Sequence, residues 1–208
     1  GDSGRAAIVA DYREIIAESE RRSAALFNVR PTAGVSVERV PAFKEATAPG
    51  AYYNPGSLSG SRPGICFVNL RDPEETRRPA MRTLAYHEAV PGHHFQLTIA
   101  QELTGVPIFR RVLPFTAYAE GWGLYAERLA YESGFDPTAD DSLGTLSAQL
   151  FRAVRLVVDT GIHRKHWTRE QAIDYMLANT AMERPAVVTE VERYIVNPGQ
   201  ACAYMVGE

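Results

Sequence analysis

A mostly helical α+β protein, with a small antiparallel β-sheet of two or three strands near its N-terminal third, is the fold class this sequence predicts. Three observations lead there. Helical periodicity dominates from about residue 73 onward; apolar and polar residues alternate over 35–43; and Ile65-Cys66-Phe67-Val68-Asn69-Leu70 is a short β-rich apolar run. The chain divides into an N-terminal helix within 1–34, a small sheet and loop over 35–72, and a helical core over 73–208, all in one domain.

In order along the chain, Ile8, Tyr12, Ile15 and Ile16 recur at helical spacing among charges, so residues 6–27 form an amphipathic helix. The Gly- and Pro-dense stretch 49–64 predicts a long surface loop between strands. Pro73, Glu74 and Glu75 sit where a helix start prefers them, and one helix runs from there to about Leu103. Further helices follow near 117–132, 142–163, 168–180 with Thr168 as N-cap, 183–196 and 199–206.

With 208 residues, 45% of them hydrophobic, the chain has enough apolar side chain for a real core. A net charge of −3 with both signs interspersed gives no electrostatic basis for binding nucleic acid or an anionic membrane, so the expected partner is a small molecule or a peptide. Cys66 and Cys202 are too few for a thiolate cluster and read as two buried thiols. No stretch reaches the ~18 apolar residues of a membrane span, and Gly1-Asp2-Ser3-Gly4 lacks the basic and apolar regions of a signal peptide. The sequence reads as a piece of a longer chain, and any targeting signal would lie outside it.

Three of the five histidines fall within His87-Glu88-Ala89-Val90-Pro91-Gly92-His93-His94, inside an otherwise apolar helical stretch. Zinc hydrolases commonly present two imidazoles one helical turn apart, with a Glu beside the first. On a straight helix the spacing here fails: His93 lies about 240° around from His87, and His94 sits roughly 10 Å further along the axis. Pro91 cannot donate to the carbonyl of His87 and Gly92 tolerates unusual dihedrals, so the helix is expected to bulge between the ligands. A bulge absorbing two residues makes His93 the second ligand, the preferred reading; one absorbing three makes it His94. Glu120, on the small-residue helix Ala119-Glu120-Gly121-Trp122-Gly123, is the candidate third ligand, and Glu127 on about the same face either orients an imidazole or forms a structural ion pair.

These segments, with Asp159-Thr160-Gly161-Ile162-His163 and Pro198-Gly199-Gln200-Ala201 through Tyr204, resemble the signatures of the bacterial family called domain of unknown function 885, over roughly residues 35–206. The family is similar to the gluzincin-type zinc metallopeptidases. The resemblance implies a helical gluzincin-like metallopeptidase core with one Zn2+ held by His87, His93 and Glu120, and Glu88 as the base that activates water. It also implies that this chain is the C-terminal, metal-carrying half, partnered by a helical N-terminal region of the same protein.

An oxyanion formed in such a reaction needs donors, which His163 and one of Tyr194 or Tyr204 are expected to supply, although either tyrosine also reads as a core residue. Arg193 is a candidate for pairing a substrate carboxylate, and the strand around Phe67-Val68-Asn69 is expected to be a sheet edge along which a peptide lies, with Asn69 touching it. The expected function is therefore zinc-dependent hydrolysis of a peptide. The alternatives are a zinc hydrolase of a non-peptide amide or ester, and a non-catalytic metal-binding or interaction module.

Overall fold

The computed structural model describes residues 2–72 and 78–208. Helix α1 (Asp2–Ser23) leads into strands β1 (Val35–Arg39), β2 (Ala51–Asn54) and β3 (Gly64–Val68). The rest is helical: α2 (Arg78–Glu88), α3 (His93–Glu102), α4 (Ile108–Val112), α5 (Thr116–Glu132), α6 (Ala139–Lys165), α7 (Arg169–Asn179), α8 (Arg184–Val196) and α9 (Ala203–Gly207). Pro73, Glu74 and Glu75, expected to open the long helix, lie outside the described residues.

The small sheet is mixed rather than antiparallel. Its order is β1-β3-β2, with β1 parallel to β3 from Val35 opposite Gly64 to Arg39 opposite Val68, and β2 antiparallel to β3. Alternation in sequence reports which face a side chain takes and carries no information on strand direction. Two further expectations change with it. Part of the supposed surface loop is strand β2, where Tyr52 stacks on Phe67 of β3. The segment around Phe67-Val68-Asn69 belongs to the central strand, so it is not the free edge that could accept a peptide.

Among the described residues two apolar cores hold the elements. The first joins Tyr12, Ile15 and Ile16 of α1 to Val37, Cys66 and Val68 of the sheet and to Met81, Ala85 and Tyr86 of α2. The second joins Val154 and Val158 of α6 to Ile173 and Met176 of α7 and to Val187, Val191 and Tyr194 of α8. Helix α5 adds Ala130 to the first core and packs against α2, α3 and α6. The short α9 packs backbone-to-backbone on α5, since a Cβ on Gly121 would come within 2.2 Å of Gly207.

The expected single helix over 73–103 is two helices. α2 ends at Glu88, Ala89-Val90-Pro91-Gly92 forms a buried connection with a cis Val90–Pro91 peptide, and α3 starts afresh at His93. Pro91 lacks the N–H that would continue the ladder, and Gly92 passes so close that a Cβ would lie 1.9 Å from the carbonyl oxygen of His87. The connection is tied at both sides: Ser19 donates to the Val90 carbonyl at 2.6 Å and Trp122 Nε1 to the Pro91 carbonyl at 2.8 Å.

Candidate metal centre

Because α3 starts anew, His93 returns beside His87 at the end of α2, the two rings meeting edge to face with centroids 4.6 Å apart. Glu120, on the first half of α5, completes the group. Its Oε2 lies 3.4 Å from His87 Nε2 and 3.3 Å from His93 Nε2, and one ligand atom from each of the three residues lies within 4.8 Å of the others. Tetrahedral ligands at ordinary zinc bond lengths stand about 3.4 Å apart, so the spacing fits a single ion.

The donor chemistry fits as well. Glu127, fully buried on α5, accepts a hydrogen bond from His87 Nδ1 at 2.6 Å and also accepts from Thr83 Oγ1 at 2.7 Å and Arg152 at 3.2 Å. With Nδ1 donating, the neutral imidazole turns the Nε2 lone pair toward a carboxylate oxygen, an acceptor against an acceptor unless a cation stands between. Without one, a proton must serve: burial pulls the His87 pKa down, but hydrogen bonds to Glu120 and Glu127 outweigh it and push the value up to about 9. The same imidazoles hold the Glu120 carboxyl far below the usual range against the opposing effect of burial. Nδ1 of His93 is buried without a hydrogen-bond partner among the described residues.

His87 owes its place to a missing side chain: a Cβ on Gly123 would lie 2.5 Å from His87 Cε1. Glu88, next along α2, is 8% exposed, and among the described residues its carboxylate has no hydrogen bond or ion pair. Its charge is felt at His87. Tyr204 of α9 stacks on the His87 ring with centroids 5.8 Å apart, and the Arg155 guanidinium carbon lies 4.3 Å from the Tyr204 ring centroid.

Other expected site residues stand elsewhere. His94 is turned away from the cluster: its Nε2 donates to the Ala33 carbonyl at 3.1 Å, its Nδ1 meets Tyr53 Oη at 3.0 Å and Thr98 Oγ1 at 3.2 Å, and burial lowers its pKa to about 4. His163 is exposed and donates from Nε2 to the Tyr194 carbonyl at 2.8 Å. Tyr194 is part of the second core, its ring near Arg155. No hydrogen bond or ring contact among the described residues joins His163 or Tyr194 to the cluster.

Arg193 pairs with Glu190 one turn before it, so its guanidinium is engaged within α8. Asn69 is committed to the loop before β2, donating to the carbonyls of Glu45 at 2.8 Å and Ala48 at 3.0 Å. Cys66 is buried as expected, whereas Cys202 is only half-buried; both are free thiols.

Three residues near the site were not singled out from the sequence. Arg152 holds Glu127, Gln200 donates to Glu120 Oε1 at 3.1 Å, and Trp122 pins the connection between the two histidine helices. A signal existed for the first: Arg152 and Arg155 interrupt the apolar face of α6, and charges rarely enter such a face unpaired.

A mostly helical protein whose two central helices and α5 converge on a candidate two-histidine, one-carboxylate metal centre is the class that fold and site define. The chain belongs to the family described as "Bacterial protein of unknown function (DUF885)", whose model matches residues 1–208. It is similar to a "putative lipoprotein" from Colwellia psychrerythraea, at 44% identity and a TM-score of 0.97, covering 100% of this chain and 36% of that one. A "putative lipoprotein of unknown function" from Shewanella oneidensis shares the fold at 22% identity and a TM-score of 0.70, covering 96% of this chain and 37% of that one. The chain thus spans about a third of the length of either relative. No curated protein matches it. Among the described residues no helix is long and apolar enough to cross a membrane.

Proposed function

We propose that this chain carries the catalytic centre of a zinc-dependent hydrolase that cleaves a peptide or a related amide, on a plan like that of the gluzincin peptidases. The observation that carries the reading is the convergence of His87, His93 and Glu120 within 4.8 Å, directly beside a buried carboxylate, Glu88, that has no protein partner among the described residues. A carboxylate with no protein partner among those residues and 8% of its residue surface still exposed is free to face water and substrate.

When bound, zinc supplies Lewis acidity, polarising a carbonyl and easing the ionisation of water. Glu88 takes the proton of the attacking water and passes it to the leaving amine, as a carboxylate beside the first histidine is placed to do. Glu127 keeps the His87 ring in the tautomer that turns Nε2 toward the cluster. Tyr204, whose hydroxyl pKa is raised by burial and by the nearby Glu120 charge, stays protonated at neutral pH and donates to the developing oxyanion. The further chain carried by the longer relatives is the proposed partner that completes the substrate cleft.

Elemental analysis of the purified protein and turnover of a peptide library test this together. One zinc per chain, with turnover that vanishes in Glu88→Gln while zinc stays bound, is the expected result. A protein without zinc, or full activity in Glu88→Gln, overturns the reading, and turnover of esters alone would move the substrate class.

A further inference from the structure

The two oxygens of Glu120 are treated differently. Oε2 faces both imidazoles, while Oε1 accepts from Gln200 Nε2 at 3.1 Å. We propose that Gln200 is the positioning residue of Glu120: it occupies Oε1, so that the carboxylate presents a single oxygen to the metal. This deepens the metal-centre reading above and rests on it.

The geometry of the amide leaves little choice. Arg155, 3% exposed, donates to Gln200 Oε1 at 3.3 Å. A guanidinium has no acceptor, so the oxygen of the amide must face it, and the NH2 group must face Glu120 and the Tyr204 hydroxyl, 3.3 Å away. The backbone of Gln200 is fixed as well. Both oxygens of Asp159, 3% exposed on α6, accept the Gly199 N–H at 3.1 and 3.0 Å, and Gly199 sits at φ +83°, a region that favours glycine. A relay of contacts, Asp159 to Gly199 and Arg155 to Gln200, therefore runs from α6 to one oxygen of a candidate ligand that is 80 residues away from Gln200 in sequence.

An amide aimed at the outer oxygen of a ligating carboxylate does two things. It lowers the entropy lost when the ligand is captured, and it prevents the carboxylate from chelating with both oxygens, which keeps the coordination number low and a position open for water. Freed of Gln200, Glu120 can rotate and bind through both oxygens.

The test measures Zn2+ affinity by chelator competition, and the visible spectrum of the Co2+-substituted protein, in the wild-type chain and in Gln200→Ala and Gln200→Glu. The second variant keeps the side-chain shape but sets an acceptor against Glu120, so it decides the matter if the first fails to fold. Both variants should lose about 10–100-fold in zinc affinity, and the cobalt bands of Gln200→Ala should weaken as the ion gains a ligand oxygen. Wild-type affinity in both variants overturns the proposal, and so does lost affinity with an unchanged cobalt spectrum, the mark of a merely structural role. A wild-type chain that binds neither ion overturns this inference together with the metal-centre reading, whereas a metal-binding wild type with indifferent variants overturns this inference alone.

Discussion

Oε1 of Glu127 lies 2.6 Å from Nδ1 of His87, and neither side chain has more than a trace of exposed surface. The same carboxylate compensates the Arg152 guanidinium at 3.2 Å, so one buried anion serves two cations or potential cations. Glu127→Ala should therefore be costly in two separable ways. Leaving Arg152 buried without its partner should destabilise the fold by ~3–5 kcal/mol, read as a lower denaturant midpoint of the metal-free protein. Loss of the ring's orienting acceptor should also weaken zinc binding by about 10–100-fold, read by chelator competition.

Gly123 makes room for His87. Its replacement by alanine places a methyl group 2.5 Å from His87 Cε1, and the helix backbone cannot move away without disturbing Glu120 and Glu127 on either side of it. Gly123→Ala should cost ~1–3 kcal/mol through overpacking and reduce zinc stoichiometry at fixed free metal. Unchanged zinc content would show that the ring can shift without leaving the cluster.

Neighbouring histidines should behave oppositely. His93→Ala removes a candidate ligand and should strip the metal while leaving the fold nearly as stable. His94→Ala removes the partner of the Ala33 carbonyl and one of the partners of the Tyr53 hydroxyl and should cost ~1–3 kcal/mol, with zinc retained. Zinc analysis beside thermal unfolding of the two variants separates them, and metal loss in His94→Ala alone would contradict the placement of these rings.

Both thiols should be sluggish. Burial pushes the Cys66 pKa well above its ordinary value, and burial with the Asp159 charge pushes Cys202 up to about 11. At pH 8 only about a thousandth of Cys202 is thiolate, so alkylation of the native protein should be slow and should accelerate tenfold per pH unit. In denaturant both should react at the rate of an ordinary cysteine. Rapid native labelling at pH 8 would contradict the environments described.

Much of the site was legible in the sequence because its parts are locally encoded. Three imidazoles beside an acid in an apolar helix, with Pro91-Gly92 between them, already required the helix to bulge, and the small residues around Glu120 already pointed to close packing. What the spacing left open was how many residues the bulge absorbs, and the expected single helix was wrong. The structure ends one helix and begins another, which brings His93 back to His87 and sends His94 toward the sheet, where Tyr53, Thr98 and Ala33 occupy both ring nitrogens. His163, Arg193 and Asn69 looked like site residues for their chemistry alone. Each instead satisfies a neighbour: a carbonyl of α8, a carboxylate one helical turn away, and a loop of the sheet.

By itself the amino-acid sequence determined the helical class, the position of most helices, a distortion at Pro91-Gly92 and the candidate ligands His87 and Glu120 with one of His93 and His94, since periodicity, capping and backbone chemistry act within a few residues. Only the tertiary structure decided strand direction, which histidine of the pair turns inward, and how the two oxygens of Glu120 are shared. Those outcomes depend on partners such as Gln200, which stands 80 positions from Glu120 and meets it only after α9 folds back onto α5.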